Sequence, residues 1–260
     1  MARGPASVFI TGASDGIGAA LARAYAARGW RLGLLARRSD RLEQLASSLP
    51  VACEVYSADV RDAAALHDAA RHFVETGGAP DVVIANAGVS AGNLTAIAGD
   101  VDTCEWILDV NLMGAVRTFQ PFIDSMQARG RGALVGMASV AGVRGLPGAG
   151  AYCASKAALI AYLESLRVEL RGTGLNVITL LPGYIDTAMT TGNPYRMPFM
   201  LDADEAARRF LRVIDARRPH AVVPWQMGVV AGIMKLLPPA LHDLAFARAG
   251  RKPRRPPEGV

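Results

Sequence analysis

Tyr152 and Lys156 stand four residues apart in AYCASKAAL, about one helical turn, so both side chains project from the same face. A lysine ammonium beside a phenol favours the phenolate and draws the tyrosine pKa down from its usual value of about 10. Such a pair can give a proton to, or take one from, the oxygen of a carbonyl compound or an alcohol. Taken alone, Y-x-x-x-K also describes a surface tyrosine one turn from a solvated lysine. The company the pair keeps decides between the two.

Upstream, an apolar run leads straight into Thr11-Gly12-Ala13-Ser14-Asp15-Gly16-Ile17-Gly18. Glycines there permit a tight turn and close backbone approach, and the N–H groups at the start of a following helix suit a pyrophosphate. The spacing is G-x-x-x-G-x-G, and its place between a first strand and a first helix separates it from a mere turn. About twenty residues further on, a dinucleotide site that takes NAD carries an acid for the ribose 2′-hydroxyl. This chain has Ala36-Arg37-Arg38 instead. Guanidinium groups fork onto phosphate, so Arg37 and Arg38 point to the 2′-phosphate of NADP rather than to NAD. Asp40 is read as a helix N-cap, with Glu43 completing a capping box. Asp15 opposes the NADP reading, because an acid near a 2′-phosphate repels it.

The elements that must carry these residues alternate. Short aliphatic or β-branched runs mark strands at 7–10, 31–36, 51–57, 81–85, 133–137, 176–180 and 221–223; longer amphipathic stretches mark helices at 17–28, 40–49, 63–75, 103–127, 150–170 and 204–216. Runs such as LGLLA and DVVIANAG are apolar throughout, as in parallel strands covered on both faces. Strict alternation predicts one α/β domain over residues 1–250: a Rossmann-type, doubly wound parallel sheet of about seven strands flanked by helices.

Composition agrees. Hydrophobic residues make up 51% of the 260 and charged residues 20%, ample for a large core. Three cysteines (Cys53, Cys104, Cys153) without C-x-x-C spacing predict neither a disulfide framework nor a metal site, and a reduced, cytoplasmic setting. The N-terminal MARGPASVFITGAS lacks signal-peptide architecture. The apolar run at 227–234 stops at Lys235 and then Pro238 and Pro239, short of the roughly 18 residues a membrane span needs. The net charge of +5 includes the tail RKPRR, read together with the remainder of 251–260 as a disordered, solvated end. Basic density and aromatic interleaving are too low for a nucleic-acid partner.

Taken in order, TGASDGIG (Thr11 to Gly18), NAG (Asn86-Ala87-Gly88), Asn111 in DVNLMG, Ser139, YCASK (Tyr152 to Lys156) and Pro182-Gly183 resemble the short-chain dehydrogenase/reductase family over nearly the whole chain. The resemblance implies roles. Tyr152 is then the general acid and base, and Lys156 lowers its pKa and holds the nicotinamide ribose. Ser139 steadies the substrate oxygen. Asn111 anchors, through a helix irregularity, a water that links Lys156 to solvent. Asp59 and Val60 meet the adenine, while Asn86, Ala87 and Gly88 line the adenine-ribose side, Asn86 chiefly as structure. Ile185 and Thr187 grip the carboxamide. Gly12, Ser14, Asp15, Gly16, Ile17 and Gly18 surround the phosphates. The implied activity is reversible, NADP-dependent reduction of a ketone or aldehyde. The implied partners are a small carbonyl or alcohol substrate and, through the helices at 103–127 and 150–170, further copies in a homodimer or homotetramer. A nucleotide sensor without turnover is the alternative, and the presence of both Tyr152 and Lys156 speaks against it.

Residues 184–202 stand where that family has its mobile substrate lid. Tyr184, Met189, Tyr195, Met197, Phe199 and Met200 give this segment an adaptable apolar character, so an apolar, lipid- or steroid-like substrate is expected. The extension at 226–250 is apolar and then basic. It either covers the cleft or a subunit interface, or rests peripherally on a membrane.

Overall fold

A computed structural model describes residues 6–191, 193 and 195–254. The strands are β1 (Ser7–Thr11), β2 (Arg31–Ala36), β3 (Cys53–Ser57), β4 (Val82–Ala85), β5 (Gly132–Met137), β6 (Leu175–Pro182) and β7 (His220–Val223). They form one parallel sheet in the order β3-β2-β1-β4-β5-β6-β7. Side chains alternate across it. Val8 and Ile10 of β1 face one core and Phe9 the other; in β5, Ala133, Val135 and Met137 oppose Leu134 in the same way. Both faces are therefore buried, which is why these strands read as unbroken apolar runs.

Helices α1 (Gly16–Ala26), α2 (Ser39–Ser48) and α7 (Ala203–Asp215) contribute Leu21, Tyr25, Leu42 and Phe210 to the first face. The opposite face is covered by α3 (Ala63–Gly77), α5 (Gly114–Arg129) and α6 (Gly150–Glu169), through Phe73, Phe119, Phe122 and Leu163. Phe9 stacks edge-on to Phe73 at 5.5 Å and tilted to Phe122 at 4.8 Å. Each buried ring of this size stabilises the fold by about 1.5–3 kcal/mol. After β3 the chain crosses over so that β4 lies on the other side of β1. That reversal opens a crevice at the carboxyl ends of β1 and β4, where open α/β sheets bind ligands.

Three expectations are corrected. The helix expected at 103–127 is α4 (Val101–Leu108), then a π-helical turn over Asp109–Met113, then α5. The capping box is absent: α2 starts at Ser39 after Arg38, with no side-chain cap, and Asp40 lies inside the first turn. There its carboxylate still complements the helix dipole. The tail is docked over 251–254, where Arg254 forks onto Asp100; residues 255–260 lie outside the described residues. The apolar extension forms α8 (Trp225–Leu236) and α9 (Pro239–Phe246). Among the described residues no helix is long and apolar enough to cross a membrane.

Candidate active site

The crevice is a cavity of about 400 Å³, lined from Gly12 and Ser14 at one end to Ser139, Tyr152 and Lys156 at the other. Its floor is the loop from β1 into α1. Gly12 has φ +66°, and a Cβ there would lie 2.7 Å from Ala87 Cα; a Cβ on Gly18 would lie 2.2 Å from the Gly12 carbonyl oxygen. Side chains at these positions would collide with neighbouring backbone, so the glycines let the loop, the start of α1 and the segment after β4 pack closely into the cradle at the N-terminus of α1. Asn86 pins this loop from β4, its Nδ2 donating to the carbonyls of Thr11 and Gly12 at 3.1 Å each. Asn86 is thus structural here, with Ala87 and Gly88 beside it on the cavity wall.

At the β2 end, Arg37, Arg38, Asp59 and Val60 line the same cavity. Asp15 caps α1 by accepting the Gly16 N–H at 2.7 Å and also draws in Arg38 at 3.4 Å and Arg41 at 2.9 Å. Arg41 was not anticipated. Its signal was present, since it lies in the first turn of the helix that follows Arg38, three residues on. Arg37 leans toward Asp59 at 4.0 Å, while Arg61 forks onto the same carboxylate at 2.9–3.1 Å. Burial raises the Asp59 pKa, but the bonds from Arg61 outweigh it and hold this carboxyl below its ordinary range.

The far end is built by β5 and α6. Ser139 follows β5 and caps a short 3₁₀ turn, its Oγ accepting the Ala141 N–H at 3.1 Å. Tyr152 lies in the first turn of α6, and the Lys156 Nζ is 5.8 Å from its ring centre. Burial pushes the Tyr152 phenol up to about 12, against a hydrogen bond with Ser139 that pulls it down. Burial also draws Lys156 down to about 8. The depressed tyrosine pKa expected from sequence is therefore not found in this chain by itself, because desolvation outweighs the hydrogen bond with Ser139. Lys156 donates to the Met137 carbonyl at 2.8 Å.

Asn111 sits inside the π turn, 1% exposed. Its Oδ1 accepts the Val89 N–H at 2.8 Å, and its Nδ2 donates to the Val89 carbonyl and to Ser155 Oγ at 3.0 Å each. Ser155 and Val89 were not singled out from sequence. Pro182 ends β6, and Gly183, Ile185 and Thr187 continue along the cavity. The Thr187 methyl lies over Gly16, 3.1 Å from where a Cβ would stand. Thr190, a further residue the sequence did not flag, accepts the Thr187 N–H at 3.0 Å and donates to the Ile185 carbonyl at 2.7 Å. Of the apolar residues at 184–202, Met189 lines the cavity, Tyr184 and Tyr195 pack ring to ring at 6.4 Å, and Phe199 is half exposed.

The short chain dehydrogenase family profile matches residues 6–196. An uncharacterized oxidoreductase of Myxococcus xanthus is 38% identical over 245 residues, covering 93% of this chain and 96% of that protein. Sulfoacetaldehyde reductase 2 of Chromohalobacter salexigens is 36% identical over 188 residues, covering 70% of this chain and 74% of its own. Among solved structures, an alcohol dehydrogenase of the archaeon Thermococcus sibiricus complexed with 5-hydroxy-NADP superposes with a TM-score of 0.74 at 30% identity, covering 84% of this chain and 95% of that one. With sheet order, glycine cradle and family match in agreement, the chain belongs to the short-chain dehydrogenase family of oxidoreductases acting on CH–OH groups.

Proposed function

We propose that this protein reduces a ketone or aldehyde to an alcohol with NADPH, reversibly, using Tyr152 as proton donor. The observation that carries the reading is the single crevice joining a glycine cradle and arginines at one end to Ser139, Tyr152 and Lys156 at the other. Bound along it, a nicotinamide dinucleotide supplies the hydride that adds to the carbonyl carbon. The chain's own residues handle the charge that results. Tyr152, protonated at neutral pH with its pKa near 12, transfers its phenolic proton to the carbonyl oxygen. Ser139 donates a hydrogen bond to that oxygen as negative charge develops. Lys156 is largely charged at pH 7 with a pKa near 8, and it stabilises the phenolate left behind. Asn111 and the π turn hold the loop at Val89 against α6 and so keep the proton path in register.

NADP is favoured over NAD because Arg37 and Arg38 line the β2 end of the crevice, with Arg41 beside Arg38 on Asp15, and these guanidinium groups would hold a 2′-phosphate there. Asp15 is part of the same reading: it holds Arg38 and Arg41 in place and yields them to a phosphate. The Thermococcus relative carries an NADP derivative, and the Chromohalobacter relative is named for the reduction of an aldehyde. An apolar substrate fits Met189 and the aromatic segment at 184–202, which acts as the lid. Pairing of copies through α4, α5 and α6 completes the reading.

The test is NADPH oxidation against graded carbonyl compounds, from short polar ketones to long-chain and steroid ones, with Tyr152→Phe alongside. Turnover that rises with apolar length and vanishes in Tyr152→Phe, while NADPH affinity stays, is the expected result. Unchanged turnover in that variant sinks the role of the phenol. Silence of the wild type across the panel sinks the reductase reading.

A further inference from the structure

Residues 251–254 do not trail into solvent. They cross from the end of α9 over three segments: the loop after β4 and the stretch at Met189, both of which contribute residues to the cavity that holds Tyr152, and the loop at Gly148 just before α6. Arg251 passes over Gly148 (φ +74°), its Cβ and Cγ 3.1 Å from where a Gly148 Cβ would stand. Lys252 Nζ donates to the Met189 carbonyl at 2.9 Å. The Pro253 carbonyl accepts the Gly92 N–H at 3.0 Å, and Arg254 pairs with Gly92 as a parallel bridge. A Cβ on Gly92 would lie 2.1 Å from the Lys252 carbonyl oxygen, so only glycine admits the crossing. Arg254 then forks onto Asp100, Nε at 2.9 and 3.1 Å and Nη2 at 2.7 Å.

Asp100 explains why the crossing is held. It is 5% exposed and also accepts the Leu94 N–H at 2.6 Å. A carboxylate buried to that degree is costly unless paired, and a bidentate guanidinium is a strong partner. The cation that meets this need comes from the tail. The loops joined in this way are those that shape the entrance. Asn86–Val89 and Thr187–Thr190 line the cavity. Gly148 lies just before α6, and Asn93 ties it in by donating its N–H to the Gly148 carbonyl at 3.0 Å and accepting the Ala151 N–H at 3.3 Å.

We propose that residues 251–254 are a strap across the substrate mouth, held by the Arg254–Asp100 pair, and that Arg254 is a positioning residue for substrate binding. The strap ties the loop after β4, the loop before Tyr152 and the segment at Met189 into one rim. Substrate therefore meets a preformed entrance rather than three independent loops. The idea rests on the proposed carbonyl reductase reading for what enters the mouth, but the docking of the strap is read without turnover.

The experiment uses the full chain as wild type, Arg254→Ala, Gly92→Ala and the charge exchange Arg254→Asp with Asp100→Arg. Amide exchange at Gly92 is followed by mass spectrometry, and NADPH affinity, KM and kcat are measured with the best carbonyl compound of the panel. The Gly92 amide is expected to be protected in wild type and to exchange about tenfold or more faster in Arg254→Ala. Substrate KM is expected to rise about fivefold to tenfold, with kcat within about twofold and NADPH affinity moved far less than KM, since the strap meets the dinucleotide-lining segments only through the Lys252 bond to the Met189 carbonyl. Gly92→Ala, which expels the strap while leaving every charge in place, is expected to match; the charge exchange is expected to restore part of the loss. A Gly92 amide that exchanges freely in wild type overturns the strap. So does a KM unmoved in Arg254→Ala and Gly92→Ala once Gly92 protection is gone. A wild type that turns over no carbonyl compound, yet loses Gly92 protection in Arg254→Ala, refutes the proposed reaction and upholds the strap.

Discussion

Lys156 is a cation kept 4% exposed, and its pKa falls from 10.5 to about 8 because burial penalises the charged form. That depression has a sign for stability. Between about pH 8 and 10.5 the unfolded chain binds a proton that the folded chain does not, so this residue's cost is fully present below about pH 8 and is lost as pH rises toward 10.5. At neutral pH the buried charge costs about 3 kcal/mol, set against a hydrogen bond to the Met137 carbonyl worth about 1 kcal/mol. Lys156→Met is therefore expected to abolish turnover and yet raise stability at pH 7 by about 2 kcal/mol. The gain should fade toward pH 10.5, where the wild-type amine is neutral. Urea titrations of both chains from pH 7 to 10 check this, and a variant that is less stable at pH 7 refutes the burial argument. The pairing of Tyr152 with Lys156 on one helix face was legible in the sequence from their spacing together with the motifs that accompany it. Their protonation was not, because the pKa of each depends on how much of the chain closes over it.

At the scale of elements, strands were read to within a residue or two because their apolar runs end where the sheet ends. What sequence did not show has tertiary causes. The pattern of residues 103–127 is helical throughout, and the irregularity at Asn111 followed from the family resemblance alone; in the structure Asn111 bonds to Val89 and Ser155, and a Cβ on Gly114 would lie 2.7 Å from the Val60 side chain. These contacts come from a loop, from α6 and from the end of β3, and together they hold an extra residue in the turn. The tail was read as loose because its composition is basic and proline-rich; its partner Asp100 lies far away in sequence. Arg41 was passed over although it follows Arg38 by three residues; in the structure it pairs with Asp15 at 2.9 Å. Asn111→Leu tests the first of these causes. It keeps the volume but leaves the Val89 N–H and carbonyl unpartnered, which costs about 1–3 kcal/mol for each buried group. The expected result is a lower urea midpoint, faster exchange at the Val89 amide and a large loss of turnover. A variant with wild-type stability would show that the π turn is set elsewhere.

Across the whole molecule, the crevice draws its residues from both halves of the sheet. Arg37, Asp59 and the glycine loop belong to β1–β3; Asn86, Ser139, Tyr152 and Thr187 come from β4 onward. A ligand that spans both halves must stabilise them together, so unfolding should remain one cooperative transition with or without dinucleotide. Binding to the native state alone at about 100 times Kd adds about 2.7 kcal/mol. For a chain of this size that is a rise of about 5–10 °C in Tm. NADPH is expected to give this rise at a concentration where NADH gives markedly less, because on the proposed reading the 2′-phosphate would meet Arg37, Arg38 and Arg41. Arg37→Asp should reverse the order by setting a carboxylate against the phosphate. Calorimetry of both chains with each dinucleotide checks the point independently of any substrate. Equal shifts in the wild type would mean that Asp15 keeps Arg38 and Arg41 for itself, and the proposed preference for NADP would fall while the cleft and its chemistry stand.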